Sequence, residues 1–103
     1  MKPNSKLREL AGILRAKYGA ELQQILFFGS QARGDASIES DYDCLLIFEK
    51  VTPSLRKSLD QLSAEWLLKR GIVFSWVALN KEDLERLRYE PFLQNVRKEG
   101  IAA

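Results

Sequence analysis

Asp41 and Asp43 stand one residue apart at the opening of an apolar run, Tyr42 to Phe48. If that run is a strand, residues two apart share a face, so both carboxylates project together from α-carbons about 6.6 Å apart. Two carboxylates so placed repel each other unless a cation sits between them. Magnesium favours hard oxygen ligands, commonly one or two carboxylates completed by phosphate oxygens and water. An Asp-x-Asp at a strand edge can therefore hold one or two such ions, which in turn grip a triphosphate. Tyr42 and Cys44 point to the opposite face.

A complementary half lies upstream. Leu22 to Phe28 ends in Gly29-Ser30. A glycine lets backbone approach a ligand without a side chain in the way, and Ser30 offers a hydroxyl and an amide to a phosphate oxygen. Helical winding after Ser30 would turn free amides toward the same anion, and Arg33 adds a planar cation suited to phosphate. If the two strands run antiparallel, both halves meet at one rim. The remaining inventory is narrow. The chain has no histidine and one cysteine, Cys44, which excludes Ser-His-Asp and Cys-His catalysis, histidine-ligated metals and internal disulfides. Cys44, next to apolar neighbours, reads as a small core residue.

These groups need elements to position them. Leu7, Leu10, Ala11, Leu14 and Tyr18 recur at helical spacing over Asn4 to Tyr18, with Asn4 or Ser5 as cap and Gly19 as stop. Leu22 to Phe28 and Tyr42 to Phe48 are the first two strands, joined by a polar stretch, Ser30 to Ser40. Thr52-Pro53 opens a helix whose Leu55, Leu59, Leu62 and Trp66 line one face until Gly71. Ile72 to Leu79 is a third strand. Asn80 with Asp83 resembles a capping box for a helix through Leu87, and a segment after Pro91 is helical to Lys98, before a small-residue tail. Trp66 belongs to the core. Ser75 and Trp76 alternate, so one of them faces the aspartates and Trp76 packs if Ser75 does.

With 103 residues, 46% of them apolar and 29% charged, the chain is expected to form one domain spanning 1–103. A net charge of +2 is too small to argue for bulk binding to nucleic acid or anionic membranes. No segment approaches a membrane span, and Met1 to Arg8 has no apolar signal core behind it, so a cytoplasmic location is expected. The element order fits an α/β (α+β) arrangement, a small three-stranded sheet covered by helices.

Gly29-Ser30 followed after ten residues by Asp41-x-Asp43 resembles the signature of the DNA polymerase beta-type nucleotidyltransferases. The fuller string Gly29-Ser30-Gln31-Ala32-Arg33-Gly34 with Ser40-Asp41-Tyr42-Asp43 resembles the minimal nucleotidyltransferases, small proteins commonly encoded beside a HEPN-domain partner. The resemblance covers nearly the whole chain. It implies a mixed sheet with packed helices, Mg-ATP as donor, Asp41 and Asp43 as catalytic metal ligands, and Gly29, Ser30 and Arg33 as the nucleotide cradle. It also implies an antitoxin that transfers AMP to a tyrosine of its HEPN toxin.

One departure bears on turnover. Active members of the superfamily usually carry a third carboxylate on a neighbouring strand, and Ile72 to Leu79 contains none. Ser75 is the polar residue near its middle, and a serine is not a general base unaided. Asp35 and Glu39 lie in the intervening loop, where such acids are more often solvated. Glu49 is about 20 Å along the strand from Asp43, out of reach. The rival reading is therefore a binding module that neutralises its partner by complex formation. An antibiotic-modifying transferase fits less well, since the chain lacks room for an acceptor domain unless it forms a homo-oligomer.

Overall fold

The computed structural model describes residues 5–29 and 41–102. Helix α1, Ser5–Tyr18, buries Leu7, Leu10, Ala11 and Leu14 as its periodicity requires. Asn4 and the Ser5 side chain, the expected cap, lie outside what is described. Gly19 leaves the helix at φ 60° into one 3-10 turn, Gly19–Glu21. Strands β1, Leu22–Phe28, and β2, Tyr42–Phe48, follow. Helix α2 spans Pro53–Arg70: the Leu55 amide donates to Thr52 Oγ1 at 3.1 Å, proline occupies the first turn, and Gly71 ends it at φ 65°. Next come β3, Phe74–Asn80, the single turn α3, Asp83–Arg86, helix α4, Pro91–Glu99, and β4, Ile101–Ala102.

The sheet among these residues has four strands in the order β3-β2-β1-β4. This corrects the expectation of three. Ile101–Ala102 is not a free tail but pairs antiparallel with Phe27 and Leu26. β1 and β2 are antiparallel, and β2 and β3 parallel, so the sheet is mixed. The expected capping box is also absent: Asn80 Nδ2 donates to Asp83 Oδ2 at 2.9 Å, while Asn80 Oδ1 accepts the Val51 amide at 2.6 Å. Asn80 thus ties two loops together, and α3 closes after one turn.

The alternation of β2 divides the interior. Cys44, Leu46 and Phe48 join α1 and α2 in the main core, with Tyr42 packed at its margin and Trp66 meeting Phe74 at a ring-centroid distance of 4.6 Å. Leu45 and Ile47 face the other way, onto Leu93 and Val96 of α4. Tyr18 links the layers, packing edge-on against Phe48 and sharing a 2.9 Å hydroxyl contact with Ser58. No helix among the described residues is long and apolar enough to cross a membrane.

Candidate functional site

The face that carries Leu45 and Ile47 also carries Asp43, and Asp41 precedes it just before β2. Two neighbouring strands complete the rim. Phe28 is the cross-strand partner of Asp43 in β1, and Ser75 is its partner in β3. Both halves of the motif therefore meet as an antiparallel pair, with Gly29 following directly on Phe28.

Gly29 adopts φ 78°, a left-handed conformation that favours glycine, and a Cβ built there would overlap Asp43 Oδ2. The glycine serves two purposes at once, turning the chain and making room for the carboxylate. Asp43 is half-buried, and its pKa is raised, first by burial and then by the negative charge of Asp41. The repulsion expected from the sequence is thus present. A pair of carboxylates in this state suits a divalent cation, although two oxygen donors do not complete an octahedron. Among the described residues no group of three acidic, histidine or cysteine side chains could hold a metal ion; phosphate and water commonly supply the further oxygens at such sites.

Ser75 donates its hydroxyl to Asp41 Oδ2 at 3.3 Å. It faces the aspartates, and Trp76 turns to the other side, where it packs against the main core with the Arg56 guanidinium 6.0 Å from its ring centroid. Cys44 is fully buried on that opposite face, and burial together with the Asp43 charge pushes its thiol pKa up. It is the inert core residue expected. Ser30, Arg33, Asp35 and Glu39 lie outside the described residues. The structure brings together Gly29, Asp41 and Asp43 and sets Ser75 beside them, bonded to Asp41, on the side the alternation with Trp76 allowed. It adds one residue that sequence reasoning did not place, Phe28, which stacks edge-on against Phe92 of α4 at 5.5 Å and forms an aromatic wall beside Asp43. The adjacency of Phe28 to Gly29 was its sequence signal. Nothing local marks Phe92.

A mixed sheet with paired aspartates at the start of one strand and a left-handed glycine at the end of its antiparallel neighbour is the arrangement the sequence resemblance implies. The comparisons agree. The nucleotidyltransferase domain model matches residues 7–101. Over 104 aligned residues the chain is 31% identical to MJ0604 of Methanocaldococcus jannaschii, provisionally named a protein adenylyltransferase, covering 97% of this chain and 96% of the relative. A crystallised toxin–antitoxin with AMP-PNP matches 96% of this chain and 72% of its own, with a TM-score of 0.62 at 19% identity. A mutated toxin–antitoxin MntA–HpeT matches 91% and 69%, also at 0.62, with 18% identity. At these identities the two structures show the fold. The chain belongs to the nucleotidyltransferase-domain family.

Proposed function

We propose that this protein binds Mg-ATP and transfers AMP to a hydroxyl of another protein. The observation that carries this reading is the convergence of Gly29, Asp41 and Asp43 at one rim, where Asp43, its pKa raised by burial and by the Asp41 charge, lies against a glycine that leaves room for its carboxylate. Asp41 and Asp43 would hold magnesium, and Gly29, with Ser30 and Arg33 of the same motif, would cradle the triphosphate. Bound magnesium would neutralise the phosphates and orient the α-phosphate. The acceptor oxygen then bonds to the α-phosphorus, and the bond to pyrophosphate breaks. Pyrophosphate departs with that electron pair, and the hydroxyl proton is lost to solvent.

The acceptor is proposed to be a tyrosine of a HEPN-domain toxin, with this chain as the antitoxin. The name of MJ0604 supports a protein substrate, and the toxin–antitoxin complexes of the same fold support the pairing. One observation favours a second reading. Ser75 occupies the register position beside Asp43 where an acid would complete the site. On that reading the chain neutralises its partner by binding, with slow or no transfer.

Calorimetric titration of Mg-ATP, with Asp43→Asn and a magnesium-free run as controls, tests the proposal. Binding that requires both magnesium and Asp43 is expected, followed by passage of labelled AMP to the partner. Complex formation without labelling would replace it with the second reading. No binding at millimolar ATP would overturn the site assignment.

A further inference from the structure

Phe92, in the first turn of α4, leaves 43% of its surface open. A lone exposed phenylalanine needs no explanation, but this ring is held in place. It meets the half-buried Phe28 edge-on, at 5.5 Å between centroids and 84° between planes. Leu93, the next residue, is buried with Leu45 and Ile47 and anchors that end of α4 on the sheet. An edge-on contact covers at most one face of each ring. Phe92 therefore keeps a face that Phe28 does not cover.

The pair adjoins the aspartates. Phe28 is the cross-strand partner of Asp43, and such partners project from one face with Cβ atoms about 5 Å apart. Adding the ring spacing puts Phe92 on the order of 10 Å from Asp43. A nucleotide whose α-phosphate rests at the aspartates has one ribose to cross before its base, a span of that order. The other flank offers no ring, since Ser75 and Val77 are the residues of β3 on that face. Every remaining aromatic except Tyr89 packs in or against the main core on the opposite face. Tyr89 already carries the Arg88 guanidinium 4.8 Å from its centroid. Stacking of a base on an aromatic ring is worth roughly ten- to a hundredfold in affinity, and a two-ring purine covers more of the face than a pyrimidine.

Resting on the nucleotide-binding reading above, we infer that the open ring of Phe92 is the platform on which the nucleobase stacks, and that it selects purine over pyrimidine nucleotides by the area it covers. Phe28 is a positioning residue: it touches Phe92 and fixes the angle at which that ring is offered.

The test titrates the full chain by calorimetry with three magnesium-loaded ligands: ATP, UTP and inorganic tripolyphosphate, which has no base. The wild type should bind ATP several-fold more tightly than UTP. Phe92→Ala should weaken ATP about tenfold, narrow its lead over UTP and leave tripolyphosphate unchanged. Phe92→Trp should keep the ATP affinity, and ATP but not tripolyphosphate should quench its added indole fluorescence. Trp66, buried, and Trp76, on the opposite face, supply a constant background. An unchanged ATP affinity in Phe92→Ala overturns the inference, as do equal losses for ATP and tripolyphosphate, which would mark a merely structural role. Self-association that Phe92→Ala abolishes while ATP affinity holds assigns the ring to a second copy and overturns it too. In each of these cases ATP binding by the wild type leaves the nucleotide site standing, whereas its absence removes both readings.

Discussion

At the scale of single residues, the geometry around Asp43 sets opposing demands of stability and function. Gly29→Ala would place a methyl against the Asp43 carboxylate and force a left-handed alanine. It is expected to cost about 1–3 kcal/mol in urea unfolding and to abolish Mg-ATP binding. Asp43→Asn should do the reverse to stability. Both burial and the Asp41 charge favour protonated Asp43 in the folded state, so its contribution is full below the ordinary carboxylate pKa and fades as pH rises through the raised value. The variant should therefore match the wild type near pH 3 and exceed it near pH 7, by under about 1 kcal/mol because the site is open to water. A variant no more stable at pH 7 than at pH 3, relative to wild type, would refute that balance. Ser75→Asp adds a third carboxylate at the register position beside Asp43. Without magnesium it should lower Tm. With magnesium it should gain about 4 °C or more beyond the wild-type response, which differential scanning fluorimetry would read.

At the scale of elements, local punctuation decides what can be read in advance. Helix α2 was legible to the residue because its punctuation is local: Thr52 caps it with its own hydroxyl, and Pro53 and Gly71 act through their own backbones. Thr52→Ala should accordingly cost about 1 kcal/mol by urea titration, through loss of the bond to the Leu55 amide. The paired aspartates and Gly29 were legible for the same reason, since alternation and spacing are local properties. β4 was not. Its two residues have no period of their own and become a strand because Gly100 ends α4 and the outer edge of β1 is free to pair. Asn80 looked like half of a capping box, yet its side-chain oxygen goes to Val51 across the fold, a contact no spacing rule contains. The Phe28–Phe92 wall escaped notice likewise, because it depends on how α4 lies on the sheet.

At the scale of the molecule, one sheet serves two unequal cores, and the larger one bears most of the stability. Phe48 is fully buried there against Tyr18. Phe48→Ala is expected to remove about 3–5 kcal/mol, a large share of the roughly 5–15 kcal/mol typical of such domains. An unfolding midpoint close to that of the wild type would contradict this placement. The aspartates lie outside that core, at the end of the face covered by α4, so the site can vary in charge while the main layer holds. Between the two sits Cys44, in the strand immediately after Asp43, with no exposed surface and a thiol that resists ionisation. The sequence contains no other cysteine. A thiol-reactive dye can therefore mark the molecule at one point, and only after β2 has come away from its neighbours. The protein carries its own stopwatch: the rate of dye uptake times the opening of the sheet, and a ligand held by the neighbouring aspartates would slow the hand.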